Sequence, residues 1–249
     1  MLLRKPIPLL LTLVLLPLAA CDSGGGEGGD ETGDTGDALD GRALYEGAES
    51  AALGAANNQA RCSTCHSDDG TLTGFSGESM QDIAFKDGYK GGDIDLLAAV
   101  NACVTGWMGG TALTAEQPEY LALAGFLEDI SDPAATTANL LTPEVLADEA
   151  AYEAAYSGGD AAAGAAKYTT SCGGCHDSGL VVANIAAYPK ATISAFTVGR
   201  IAQKVRTSGP PPSGTNDASD TTPGPMPFFE PEELSETDLA DIIAHLRGG

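Results

Sequence analysis

Two copies of Cys-x-x-Cys-His constrain this chain more than anything else in it: Cys62-Ser-Thr-Cys65-His66 and Cys172-Gly-Gly-Cys175-His176. The copies stand 110 residues apart, and each sits in a longer repeat, Gly54 to Gly70 lining up with Gly164 to Gly179. The pattern is the attachment signature of c-type haem, in which two thiols add across the porphyrin vinyl groups and the adjacent imidazole reaches the iron. A Cys-x-x-Cys pair also serves as a redox dithiol or as half of a zinc site. The first needs a βαβ context, and one zinc site built from both motifs leaves unexplained why each motif has its own repeat. Two covalently attached c-type haems are therefore expected, one on Cys62, Cys65 and His66 and the other on Cys172, Cys175 and His176.

Each copy ends in an amphipathic helix pattern opened by a Thr or Ser cap, Thr114 to Leu127 and Ser235 to Leu246, with acids in the first turn. Helical runs are also expected over Ile94 to Val104 and Ile193 to Arg206. A break near Ser131-Asp132-Pro133 separates residues 41–133 from 147–249, with a connecting segment over 134–146. In this order the chain resembles the class I cytochrome c family, seen twice in tandem. The resemblance implies an all-α fold: two tandem cytochrome c-like domains, each a small helical fold wrapped around one covalently bound haem. In that family an N-terminal helix leads into the motif, a loop supplies an axial Met, and a C-terminal helix packs across the N-terminal one.

With His66 and His176 used as proximal ligands only His245 remains, so two bis-His haems are impossible. His245 falls on the apolar side of the last helix pattern and reads as a packing residue, with iron ligation as the alternative. Met226, between Pro225 and Pro227, resembles the family's methionine loop, and Met108 in Gly106-Trp107-Met108-Gly109-Gly110 holds the equivalent place in the first copy. The resemblance thus implies Met108 and Met226 as sixth iron ligands. Met80 and an axial Cys103 thiolate are alternatives in the first copy, and the plainer reading of Cys103 is a buried small apolar residue. Trp107 is expected to pack near the first haem. Lys190, Arg200, Lys204 and Arg206 form a basic run with no acid between Asp177 and Asp217. Arg200 and Arg206 either neutralise haem propionates or belong to a docking patch for an acidic partner.

The N-terminus reads as a targeting segment over residues 1–20: Arg4 and Lys5, an apolar run from Leu9 to Leu18 too short to span a bilayer, then Ala19 and Ala20. Leu18-Ala19-Ala20-Cys21 resembles the lipobox of bacterial lipoproteins, which implies lipidation at Cys21; an ordinary secretory signal is the alternative. Residues 21–40 are almost wholly Gly, Asp, Glu, Ser and Thr, the composition of a disordered, acidic, Gly-rich tether.

The chain carries 35 Asp+Glu against 12 Lys+Arg, a net charge of −23, which excludes a nucleic-acid surface built on phosphate neutralisation. Aromatics make up only 6%, consistent with cores in which porphyrin supplies apolar bulk. One cysteine for lipid and four for haem leave Cys103 alone, so no structural disulfide is expected. His/Met ligation suits electron exchange and not substrate binding. The expected function is therefore that of an electron carrier, not an enzyme, lipid-anchored to a bacterial membrane on its extracytoplasmic side (periplasm or cell surface). Its redox partners would present basic docking faces. The alternatives are a haem-bearing subunit of a redox enzyme, dehydrogenase or peroxidase-like, and a haem sensor lipoprotein.

Overall fold

Two helix crossings, each closed by a glycine, set the fold. α1 (Gly41–Glu46) starts where the Asp40 side chain accepts hydrogen bonds from the N–H groups of Arg42 and Ala43, and it stops at Gly47, φ 86°, a left-handed end that favours glycine. α4 (Pro118–Asp129) crosses it where a Cβ on Gly41 would stand 2.0 Å from the Ala122 carbonyl oxygen. In the second half α6 (Ala161–Tyr168), capped by Asp160, meets α10 (Glu236–Leu246), capped by Ser235. There a Cβ on Gly164 would stand 2.0 Å from the Asp241 carbonyl oxygen. The Asp241 carboxylate ties this crossing by accepting from the Asp160 N–H at 2.6 Å and from Lys167 Nζ at 2.7 Å.

This is a computed structural model, and residues 39–48, 53–92, 94–208 and 226–248 are described. The expected signal peptide, Cys21, nearly all of the tether, and Pro225 lie outside them.

Gly41, and not Gly54, is the spatial counterpart of Gly164. The repeat pairs Gly54 with Gly164 because both stand eight residues before a first cysteine, yet residues 54–61 form turns and coil. Asn58 supplies a reason: Nδ2 donates to the Ala60 carbonyl and Oδ1 accepts from the Ala60 N–H, local bonds that compete with a helix. The first motif forms its own turn, α2 (Cys62–Cys65). The second continues from α6 through a π-type turn (Thr169–Gly173) into α7 (Gly174–His176).

Helix starts follow caps more closely than apolar periodicity. α3 (Leu96–Gly106) begins after Asp95, which accepts from the Ala98 N–H, while Ile94 pairs with Tyr89 in an isolated bridge. α4 begins at Pro118 and not at Thr114, because proline presets the helical φ and pushes the preceding Gln117 to extended backbone, ψ 135°. The run from Ile193 to Arg206 divides into α8 (Lys190–Ile193) and α9 (Val198–Thr207), the latter capped by Thr197. The segment before α6 holds a further helix, α5 (Glu149–Tyr156). Its Tyr152 and Tyr156 pack with Leu239, Ile242 and Ile243, all 1% exposed or less. The first half gathers Tyr45, Leu123, Phe126 and Leu127 in one cluster and Leu44, Leu53, Val104, Met108 and Leu113 in another.

The described residues form one compact unit. Its halves meet at a hairpin, β1 (Val181–Val182) and β2 (Ile185–Ala186). The Gln59 N–H donates to the Val181 carbonyl at 2.7 Å, the Val181 N–H to Gln59 Oε1 at 2.9 Å, and the Ala183 N–H to Asn58 Oδ1 at 3.0 Å. Ala183 turns the hairpin at φ 55°, a conformation disfavoured for a residue with a Cβ. The bond from the other half holds it there.

The glycine crossings make a direct prediction. Gly164→Ala forces a Cβ into a backbone carbonyl and destabilises the mature protein by about 1–3 kcal/mol or more. Gly125→Ala in α4, where a Cβ meets nothing within 4 Å, stabilises it by about 0.5–1 kcal/mol. Denaturant unfolding of both variants checks the pair.

Candidate haem sites

In both motifs the cysteines are half-buried. Burial pushes the Cys62 and Cys172 thiols up to about 12 and Cys65 to about 11, with Cys175 raised for the same reason. Redox dithiols work through a lowered pKa, so these environments suit neutral sulfur in a haem thioether and not a thiolate nucleophile. Among the described residues no cluster of three or more His, Cys, Asp or Glu is arranged to hold a metal ion.

The imidazoles show the same construction twice. His66 Nδ1 lies 2.8 Å from the Glu78 carbonyl and His176 Nδ1 lies 2.7 Å from the Tyr188 carbonyl, each partner 12 residues downstream. A carbonyl oxygen only accepts, so each ring carries its proton on Nδ1 and leaves the Nε2 lone pair for a metal. Burial also pushes the His66 pKa down, towards the neutral ring that ligates. The first ring is fixed further by Tyr45, whose hydroxyl donates to the His66 carbonyl at 2.5 Å. Gly77 lets the chain close over it: a Cβ there would stand 2.4 Å from His66 Cε1.

One cavity serves both motifs. Cys62, Cys65 and His66 line it from one half, and Cys172, Cys175 and His176 from the other. Its atom-free space is about 2820 Å³, part of it open to solvent. Met80, Met108 and Met226 all reach this wall, as do Cys103 and Trp107. Met108 is 4% exposed, and its carbonyl accepts from the Ala55 N–H at 2.9 Å. Met226 is half-buried against the second core, with its carbonyl accepting from the Ser208 hydroxyl. The Met80 N–H donates to the Ser67 carbonyl at 2.7 Å. Thioether sulfurs, thiols and imidazoles with free Nε2 around one largely apolar space are a donor set that fits c-type haem.

His245 lies off this wall. Its Nε2 accepts from Lys190 Nζ at 2.6 Å, and its ring packs 5.7 Å from that of Tyr168, a packing role. The basic run divides as well. Arg200, over the Phe196 ring at 4.3 Å, lines the cavity with Lys204. Arg206 does not line it: it is fully buried, donates to the Tyr156 hydroxyl and the Phe229 carbonyl, and lies 3.6 Å from Glu144. Its Nε and Nη1 are held inside the α5–α9 packing, while Nη2 is buried with no hydrogen-bond partner among the described residues.

Residues 159–246 match the family model of cytochrome c oxidase, cbb3-type, subunit III. The match supports a cytochrome c domain in this stretch, and with it covalently bound c-type haem and an electron-transfer role. No curated protein matches the chain. The matched stretch runs from just before α6 to the end of α10 and holds Cys172, Cys175, His176 and Met226. The partners of the two imidazoles are backbone carbonyls of dissimilar residues, Glu78 and Tyr188, so no residue type in the sequence marks them. Asn58 and Gln59, which bond across the halves, carried no signal either.

Gly77→Ala tests the first imidazole. Its Cβ displaces the ring from the Glu78 carbonyl, so a haem bound through His66 should show an altered ferric spectrum; a spectrum identical to the parent's contradicts this geometry.

Proposed function

We propose that the chain is a membrane-anchored di-haem c-type cytochrome that relays single electrons between extracytoplasmic redox partners. The observation that carries this reading is the repeated imidazole, twice donating from Nδ1–H to a carbonyl 12 residues on and twice free at Nε2, in one cavity with cysteine and methionine sulfur. Bound haem supplies the one-electron chemistry. Cys62 and Cys65, and in turn Cys172 and Cys175, hold it covalently, while His66 and His176 take the proximal positions. Met226 is the sixth ligand in the second domain, residues 147–249. In the first, residues 41–133, Met108 is preferred to Met80, because Met108 stands between α3 and α4 as Met226 stands between α9 and α10. A thioether in that position raises the reduction potential and closes the iron to substrates.

Cys21 is the lipid anchor in this reading, and residues 21–40 are the tether that gives reach from the membrane. The large excess of acidic over basic residues steers the carrier towards partners with basic docking faces, an effect that weakens with salt. A second reading, a haem-bearing subunit of a redox enzyme, is favoured by one observation: the matched model describes an oxidase subunit.

Replacing the sixth ligand tests the carrier. Met226→Ala should open one iron to cyanide and lower one of two reduction potentials, leaving the other in place. A parent protein that already takes cyanide at both irons, or a variant with unchanged potentials, contradicts the assignment.

A further inference from the structure

The turn at residues 231–234, between the Met226 segment and α10, brings a carboxyl into the shared cavity. Glu233 lines it with Met226, Phe229 and His176, and Glu78 approaches from the first half. Glu233 Oε2 accepts from the Glu230 N–H at 2.8 Å. Glu230 lies beside it, its two carboxylate oxygens accepting from the Thr142 N–H at 2.6 Å and the Thr142 hydroxyl at 2.7 Å. The charged groups that face Glu233 are Glu230 of its own turn, Glu78 of the loop after the first motif, and Arg206 of α9. Lys90, Arg200 and Lys204 line the same cavity. Arg206, the cation among the facing groups, is drawn towards Glu144 and Tyr156. Burial first, and the like charges of Glu230 and Glu78 after it, push Glu233 up to about 7. The residue is half-buried, with part of its surface still open to solvent, so its proton exchanges with water.

We propose that Glu233 is a redox-linked proton-binding site: its carboxylate takes one proton from water as an electron reaches the haem held by Cys172, Cys175 and His176, and returns it as the electron leaves. The proposal rests on the electron-relay reading. One electron from the donor partner takes iron from ferric to ferrous, one O–H bond forms on Glu233, and the charge of the pair is unchanged. The coupling follows from Coulomb attraction, since an electron added to a largely apolar cavity is a strong field for the nearest proton acceptor. Ferrous iron therefore raises the carboxyl pKa and ferric iron lowers it, and the potential depends on pH between those two values.

Spectroelectrochemical titration of the haem-loaded mature protein on both sides of pH 7 tests this. The second potential should fall as pH rises, by up to about 59 mV per unit, the one-electron equivalent of a tenfold change in proton activity, and level off at low pH. Glu233→Gln, whose amide imitates the protonated carboxyl, should lose that slope and hold the parent's low-pH potential throughout. A slope retained in Glu233→Gln, as titrating propionates would give, overturns the proposal, and so does a parent potential independent of pH. Infrared redox difference spectra of the parent need no variant: a protonated-carboxyl stretch appears on reduction if Glu233 takes the proton, and its absence overturns the assignment. Failure of the electron-relay reading is a different result, the lack of any reversible haem potential in parent and variant alike.

Discussion

Everything at the candidate sites depends on one hydrogen bond made twice, from a histidine Nδ1 to a carbonyl 12 residues later. It selects the tautomer, fixes the ring plane and leaves Nε2 as the only nitrogen a metal can use. The surrounding chain is arranged to keep it. After His66, the Ser67 carbonyl takes the Met80 N–H and the Gly70 N–H donates to Ser79 Oγ, closing the loop that carries Glu78. After His176 the hairpin Val181–Ala186 returns the chain to Tyr188. Different local structures therefore deliver one geometry.

Around these loops the helices act as a frame. The crossings at Gly41 and Gly164 let backbones touch, so that α4 and α10 close over the starts of their halves. The hairpin that sets the second imidazole also receives hydrogen bonds from Asn58 and Gln59, a few residues before the first motif. The same short segments thus fix one ligand set and join it to the other. This is the physical ground for reading the shared cavity as an electron path between two proposed haems, and for expecting Glu233 in its wall to respond to the charge held there.

The chemistry of the sites was far more legible in the sequence than the fold around them. Cys-x-x-Cys-His names its residue types and spacing directly, and the scarcity of histidine left only His245 to place, which the structure puts against Tyr168 and Lys190. The helix that precedes the first motif was harder. Gly54 looks like Gly164 in the linear order, but Asn58 spends its amide on local turns, and helix contact is made at Gly41, twenty-one residues before Cys62. Arg206 and Arg200 were indistinguishable as charges on one run; only packing separates the arginine that meets Glu144 from the one on the cavity wall. Contacts between the halves depend on single polar residues that no periodicity marks.

The most direct test is the intact mass of the mature protein under denaturing conditions, where only covalently attached groups remain. Two haems per polypeptide are expected, falling to one when Cys62 and Cys65, or Cys172 and Cys175, are replaced by serine. A mass showing one haem or none in the parent contradicts the di-haem reading.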